Sequence, residues 1–161
     1  MQVTKRAENI TIISGGKTGV DRAALDVAIN LGLDYGGFCP KGRLAEDGVI
    51  PEKYNLTELK SSKYSKRTLE NVKYSHGSLV IYQGELHGGT LLTKEYCQVH
   101  NKPVFAINLL ETPKQIRVNF NHWIQQNNVT VLNIAGPRES KATVYHMLFS
   151  LLMGLLSKVK M

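Results

Sequence analysis

The chain has 161 residues, of which 42% are hydrophobic and only two are cysteine. This length predicts one domain over residues 1–161, with a core that excludes dependence on a disulfide framework or a structural metal. The formal net charge of +7 favours an anionic partner. The sequence shows no signal-peptide pattern and no apolar stretch long enough to span a bilayer, which predicts a cytoplasmic protein without membrane association.

Apolar segments of strand length alternate with helical patterns along the chain. The strand segments are rich in Ile and Val and are apolar on both faces, which is typical of a parallel sheet covered by helices. We expect four such strands at 10–14, 78–82, 103–107 and 129–135, and a fifth strand at 33–36 that makes the order β-α-β before the long loop. The alternation predicts the α/β class, as a Rossmann-like three-layer α/β/α sandwich with a mainly parallel sheet of about five to seven strands.

Four helices are predicted between and after these strands. The first spans 18–31, where Thr18 and Asp21 match a capping pattern and Gly32 follows as a stop; the second follows Gly88–Thr90. The third begins at Thr112 with a capping box, and the fourth spans about 139–156. Beyond the first helix, the predicted buried positions are Leu92, Tyr96 and Val99, then Ile116, Phe120, Trp123 and Ile124, then Met147, Leu148, Leu151, Leu152 and Leu155.

A long segment at 36–68 has no clear helical or strand pattern, and long loops are usually functional or disordered. Cys39 within it is either a thiol with a pKa lowered by basic neighbours or, as we favour, a small half-buried residue without a reactive role. The segment ends in a basic cluster, which we interpret as a solvated face in preference to a polyanion site. The cluster comprises Lys60, Lys63, Lys66 and Arg67.

Three glycine-containing loops follow predicted strands, at 14–19, 84–90 and 135–140. In an open α/β sheet, ligands bind beyond the carboxyl ends of the strands, and a helix N-terminus attracts anions. Each loop alone is explained equally well as a turn or cap, but three at one edge favour an anion-binding crevice. Cations in or beside these loops are Lys17, Arg22, Lys41, Arg43 and Arg138.

Standard nucleotide and catalytic motifs fit poorly. The P-loop pattern lacks its first glycine, at Thr11, and 15–19 reads G-G-x-x-G where the dinucleotide fingerprint has G-x-G-x-x-G. The acidic residue expected after the second strand is replaced by Gly36-Gly37-Phe38. Neither G-x-S-x-G nor H-E-x-x-H occurs, and we assign no catalytic or metal-binding residue from the sequence.

Five segments carry a family resemblance, and together they run from about residue 12 to residue 140: ISGGKTGVDRAALDVAI, GGFCPKGRLAEDGVIP, YSKRTLENVKYSHGSLVIY, GELHGGTLLT and LNIAGPRES. The chain resembles the molybdenum cofactor carrier protein family, a Rossmann-like branch of the SLOG superfamily. The resemblance implies a homo-oligomer, a dimer or tetramer, that binds and stores or protects molybdenum cofactor without turnover. Molybdopterin would then be a carried ligand, and no catalytic cofactor is implied.

Positions matching the family pattern predict how such a ligand is held. One anionic group is assigned to the first glycine loop and a second to the loop at 88–90, with the basic turn at 41–43 and Arg138 closing over either one. Asp47 and Asn71 are assigned to hydrogen bonds with the pterin-like or base-like ring of the ligand, and a bond that ties down its own loop is an equal alternative for Asp47. The full set of predicted binding residues is Gly15, Gly16, Lys17, Thr18, Arg22, Lys41, Gly42, Arg43, Asp47, Asn71, Gly88, Gly89, Thr90, Arg138 and Glu139.

Two alternatives stay open. The first is a nucleotide-processing enzyme using the same crevice, resembling the phosphoribohydrolases of the superfamily or an ADP-ribose or NAD hydrolase. The P-G-G-x-G-T-x-x-E loop of those phosphoribohydrolases is incomplete here, because Gly88-Gly89-Thr90 lacks the proline, the spacer glycine and the glutamate. The second is a single-stranded nucleic-acid binder, which the aromatic content of 7% disfavours.

Overall fold

A parallel five-stranded sheet forms the centre of the computed structural model, which describes residues 10–112, 114–139 and 145–159. Along the sheet the strand order is β2 (Asp34–Gly36), β1 (Thr11–Ile13), β9 (Val131–Ala135), β7 (Gly77–Tyr82) and β8 (Val104–Asn108), and every neighbouring pair is parallel. The predicted fold class and all of the predicted strands are confirmed. In chain order, the strands are β1 Thr11–Ile13, β2 Asp34–Gly36, β3 Phe38–Cys39, β4 Leu44–Ala45, β5 Gly48–Val49, β6 Thr57–Glu58, β7 Gly77–Tyr82, β8 Val104–Asn108 and β9 Val131–Ala135.

Helices cover both faces of this sheet. On one face, α1 (Val20–Leu31) packs against α5 (Tyr145–Val159), and α5 packs against α4 (Ile116–Gln126). On the other face, α2 (Tyr64–Tyr74) packs against α3 (Gly88–Val99). The main core lies beneath the first group, where β-branched strand residues meet Phe120 and the leucines of α5. The helices are α1 Val20–Leu31, α2 Tyr64–Tyr74, α3 Gly88–Val99, α4 Ile116–Gln126 and α5 Tyr145–Val159.

The start of α1 differs from the predicted cap. Gly19 is the N-cap and makes no side-chain capping bond. Thr18 Oγ1 instead donates to Glu46 Oε1 over 2.7 Å, and the Asp21 carboxylate accepts from the backbone N–H of Lys17 over 3.3 Å. The local capping pattern is therefore wrong, because a residue 28 positions away captures the hydroxyl. The predicted stop at Gly32 is confirmed, with φ of 69° in the left-handed region.

The predicted buried face of α3 is wrong. Its buried residues are Thr90, Thr93 and Cys97, whereas Val99 is 72% exposed. The inward face consists of small residues, of which Thr90 and Thr93 border the cavities described below and Cys97 contacts Ser78 of β7, so apolar spacing misidentified the buried side.

The other two helices also differ in part from expectation. α4 begins at Ile116, with Gln115 and not Thr112 at the N-cap position; Thr112 Oγ1 donates to the Asn108 carbonyl. Pro113 lies outside the described residues, as does the stretch 140–144 within the predicted last helix. On α5 the predicted Leu148, Leu152 and Leu155 are buried, whereas Leu151 is only partly buried and Met147 is 49% exposed.

The segment at 36–68 is ordered by short strand pairs and a helix that sequence patterns missed. β3 pairs with β6 in parallel, and β4 and β5 form a hairpin. α2 was overlooked because its inward face carries Arg67, Thr68 and Asn71 beside a single apolar residue, Val72. Cys39 is fully buried, and burial raises the pKa of its thiol, so the reading with a lowered pKa is wrong.

Candidate functional site

The three predicted glycine loops lie side by side in the structure. They follow β1, β9 and β7, which are consecutive in the sheet, so their carboxyl ends share one edge. A cavity of about 310 Å³ opens between these loops and the start of α2, and we call it the groove. It is lined by Lys17, Tyr64, Ser65, Arg67, Thr68, His87, Gly88, Gly89, Thr90, Leu92, Pro137 and Arg138.

The glycine loop after β1 is largely occupied by the protein's own groups. Gly16 has φ of +80°, and a Cβ there would lie 2.7 Å from Leu56 Cδ1, so this glycine packs on the long loop. The backbone N–H of Lys17 donates to Asp21, and that of Thr18 donates to Glu46 over 3.2 Å. Two carboxylates thus take amide donors that a phosphate would use in a nucleotide-binding loop.

Arg22 and Asp47, both predicted to contact the ligand, form an ion pair with each other. The guanidinium donates to both carboxylate oxygens over 2.6 and 2.8 Å, and Arg22 Nε donates to the Gly16 carbonyl over 3.0 Å. The hydrogen bond from Arg22 lowers the pKa of the Asp47 carboxyl. This pair ties the turn of the β4–β5 hairpin to the first glycine loop.

The basic turn at 41–43 is held within its own loop. Lys41 is exposed, and its backbone N–H donates to the Ser61 carbonyl. Gly42 N–H donates to Glu58 Oε2 over 2.6 Å. The guanidinium of Arg43 donates to four carbonyls of the loop, which makes it an organiser of local structure. These carbonyls belong to Ile50, Pro51, Tyr54 and Leu56.

Asn71 and Glu139 also make internal contacts. The Asn71 amide pairs with the backbone of Phe38, accepting from its N–H over 2.9 Å and donating to its carbonyl over 3.1 Å. Glu139 N–H donates to Thr18 Oγ1, and its side chain lines a separate cavity of about 390 Å³. Asn71 fixes α2 against β3, and Glu139 links the loops after β1 and β9.

The N-terminus of α3 is open toward the groove. His87 is the N-cap and makes no side-chain capping bond. A Cβ at Gly88 would meet nothing within 4 Å, and one at Gly89 would meet only Lys17 Nζ, at 3.6 Å. The start of α3 therefore borders accessible space beside a lysine ammonium. The unpaired amides of a helix N-terminus attract anions.

Two buried charges lie at the base of the groove. Arg67 is 4% exposed and donates from Nη1 to the Gly15 carbonyl over 3.0 Å. Asp21 is 3% exposed, and its Oδ1 accepts no hydrogen bond from the described residues. Burial raises the pKa of the Asp21 carboxyl, and the nearby charges of Lys17 and Arg67 oppose that shift.

Comparison with known proteins identifies the group to which this chain is related. The sequence model of the circularly permutated YpsA SLOG family matches residues 12–156. The chain belongs to the circularly permutated YpsA SLOG family. No curated protein matches it. Membership in this SLOG family confirms the resemblance drawn from the five sequence segments.

A solved structure supports the same assignment. The crystal structure named "Putative molybdenum carrier protein" from Syntrophus aciditrophicus SB has 44% sequence identity to the chain and a TM-score of 0.88. The match covers 92% of this chain and 96% of that one. Together with the SLOG family, this similarity indicates a ligand-binding role.

The structure brings together only some of the predicted site residues. Lys17, Gly88, Gly89, Thr90 and Arg138 line the groove, whereas the Arg22–Asp47 pair and the 41–43 turn bind within the protein. For the latter, ligand contacts remain predictions. The described residues contain no group of three or more metal-ligating side chains and no helix able to cross a membrane.

Sequence reasoning missed the contribution of α2 to the groove. Arg67 was interpreted as part of a solvated face, yet it is buried, and Tyr64, Ser65 and Thr68 lie beside it in the lining. The available signal was that Arg67 lies on the same helical face as the polar residues Thr68 and Asn71. A buried cation needs polar groups nearby, and such a face supplies them.

Proposed function

We propose that the groove binds a small ligand through a phosphate-like anionic group and holds it without turnover. The observation that carries this proposal is the uncapped N-terminus of α3 next to Lys17 Nζ. Backbone amides at a helix N-terminus and an ammonium group together form a site for an oxyanion. The groove also contains the guanidinium-bearing residues Arg67 and Arg138.

The same contacts favour α3 over the first glycine loop as the position of the anion. In the loop after β1, Asp21 and Glu46 already accept from the backbone amides of Lys17 and Thr18. An incoming anion there would have to displace a carboxylate and would be repelled by its charge. At Gly88 and Gly89 the space is open.

The ligand class we propose is molybdenum cofactor or a related phosphorylated pterin or nucleotide. A phosphate monoester carries about −1.5 to −2 charges at pH 7, which suits a groove lined by Lys17, Arg67 and Arg138. The name of the crystallised relative supports the molybdenum-containing member of this class. The protein would hold such a cargo, with Lys17 and the α3 amides on its anionic group.

Binding without turnover is proposed on the arrangement of acidic groups. Glu95 is exposed on α3, and Glu85 is exposed beside an adjoining cavity; neither belongs to the groove lining. Asp21 is buried at the base of the groove, where its carboxylate accepts a hydrogen bond from the Lys17 amide. We expect NAD or a nucleoside monophosphate to stay chemically unchanged after incubation with the protein. Catalytic conversion of either compound would reject storage and favour the nucleotide-processing enzyme.

The anion site is tested by titrating pyrophosphate into the protein in a calorimeter. We expect Lys17→Ala and Arg138→Ala each to weaken binding by about tenfold or more, as befits loss of a charge-assisted contact. Lys73→Ala is the matched control, because Lys73 is exposed near the opposite end of α2 and its loss changes the net charge equally. Unchanged affinity in both groove variants, with the fold intact, would reject the site.

Two further sequence predictions belong to this proposal. We expect a cytoplasmic protein that assembles as a homo-oligomer, a dimer or a tetramer. Light scattering on the purified chain measures the second point directly, and a monomer at micromolar concentration would exclude it. The ligand itself is identified by mass spectrometry and absorbance of any small molecule that copurifies.

A further inference from the structure

A second, much smaller cavity lies at the base of the groove, and we call it the floor cavity. It has a volume of about 20 Å³ and shares the lining residues Lys17, Arg67, Thr68 and Gly89 with the groove above. A water-sized group needs about 10–15 Å³ of such volume. The floor cavity therefore has room for one small group. Its lining is completed by Gly15, Asp21, Asn71, Thr93, Asn133, Ile134 and Ala135.

Three of the neutral side chains around the floor cavity each donate a hydrogen within the protein. Thr68 Oγ1 donates to the Tyr64 carbonyl, and Thr93 Oγ1 donates to the Gly89 carbonyl, over 3.0 and 2.9 Å. Asn133 Nδ2 donates to Ser78 Oγ over 3.0 Å. Each of these three side chains thus donates a hydrogen within the protein and keeps oxygen lone pairs that can accept a hydrogen bond.

Asp21 adds a stronger acceptor to this set. It is 3% exposed, its Oδ2 accepts from Lys17 N–H, and its Oδ1 has no partner among the described residues. A buried oxygen without a hydrogen bond is costly, by about 1–3 kcal/mol. Such an atom in the lining of a polar cavity indicates that a donor from outside the chain completes it.

Charge and size restrict what that donor is. A metal ion or ammonium group would approach the positive charges of Lys17 and Arg67, and an anion would approach Asp21. A neutral group with hydrogens to donate avoids both repulsions. An amino group on a conjugated ring supplies two N–H donors in a volume close to that of water.

We propose that the floor cavity receives an exocyclic amino group of the ligand whose anionic group lies at the N-terminus of α3. This proposal rests on the proposed function. Asp21 Oδ1 accepts one of its hydrogens, and the oxygens of Thr68, Thr93 or Asn133 accept the other. The site would thereby select amino-substituted rings, such as 2-amino-4-oxo heterocycles, over rings that lack the amino group.

The test compares guanosine 5′-monophosphate with inosine 5′-monophosphate, which lacks the 2-amino group, by calorimetry. We expect the wild-type protein to bind the guanosine compound about tenfold or more tightly, as expected when a buried acceptor is left unpaired by the analogue. In Asp21→Asn the preference should fall to about one. Asp34→Asn is the matched control, because Asp34 is exposed at the opposite end of the sheet, and it should keep the wild-type ratio.

Each other outcome has a defined meaning. Equal affinity for the two nucleotides in wild type, a preference that survives Asp21→Asn, or no binding of either nucleotide would overturn the floor-cavity proposal. Pyrophosphate binding that depends on Lys17 would then show that the anion site stands without it. Should Asp21→Asn fail to fold, Thr68→Val, Thr93→Val and Asn133→Leu each remove one of the other acceptors, and at least one of them is expected to reduce the ratio; an unchanged ratio in all three would count against the proposal.

Discussion

Replacing Asp21 by asparagine is expected to stabilise the fold at neutral pH. The carboxyl is 3% exposed, and burial is the main cause of its raised pKa, which the cations Lys17 and Arg67 oppose only in part. The raised pKa means that the folded state binds the proton more tightly than the unfolded state. Ionised Asp21 therefore does not destabilise the fold below the unfolded pKa of 3.8, and its destabilising effect grows as the pH rises through the folded pKa.

The magnitude follows from the unpaired Oδ1 atom. A buried unsatisfied acceptor costs about 1–3 kcal/mol, and the variant loses some attraction to Lys17 and Arg67. We therefore expect Asp21→Asn to raise the free energy of unfolding by about 1–2 kcal/mol at pH 8, or the Tm by roughly 2–8 °C for a domain of this size. The asparagine oxygen can still accept from the Lys17 amide.

Thermal unfolding followed by circular dichroism, from pH 8 to pH 4, measures this effect. The difference between Asp21→Asn and wild type should shrink as the pH falls, whereas the exposed control Asp34→Asn should show a small difference at every pH. A wild type more stable than Asp21→Asn at pH 8 would mean that attraction to the two cations outweighs burial. A difference independent of pH would refute the electrostatic origin.

Three further predictions test packing and chemistry away from the ligand. Gly16→Ala should lower the free energy of unfolding by about 1–3 kcal/mol in urea titrations, because φ is +80° and the new Cβ would lie 2.7 Å from Leu56 Cδ1; an unchanged midpoint would contradict the loop packing. Phe120→Ala should cost about 3–5 kcal/mol by the same assay, since Phe120 is fully buried, and a loss below about 1 kcal/mol would contradict its core position. Cys39 and Cys97 should react with a disulfide reagent only after denaturation, because both are buried and burial raises both thiol pKa values; rapid labelling of the native protein would disprove this.

Four strands of the central sheet were predictable from sequence because they lie in continuous apolar runs rich in β-branched residues, whereas β2, which reads Asp34-Tyr35-Gly36, has no such run. α2 was not, because its buried face is built from Arg67, Thr68 and Asn71, which leaves too few apolar residues at helical spacing. Hydrophobic periodicity identifies cores well and identifies the walls of polar cavities poorly. The same reason explains the misplaced face of α3, whose inward residues include Thr90 and Thr93.

The candidate site was predictable at the level of loops and only partly at the level of side chains. Glycines after β1, β7 and β9 correctly indicated loops that meet at one edge of the sheet. The partners of Thr18 and Arg22, which are Glu46 and Asp47, are 28 and 25 positions away and leave no local signal. Long-range contacts of this kind depend on how the β4–β5 hairpin folds back onto the loop.

The position of the anion is the central claim, and backbone amide chemical shifts measured during a pyrophosphate titration test it most directly. We predict that the largest shifts occur at Gly88, Gly89 and Thr90, at the start of α3, and that the amide of Thr18 stays close to its starting position because Glu46 already accepts its hydrogen. The largest shifts at Gly15 to Thr18, with α3 unaffected, would place the anion in the first glycine loop and contradict the account.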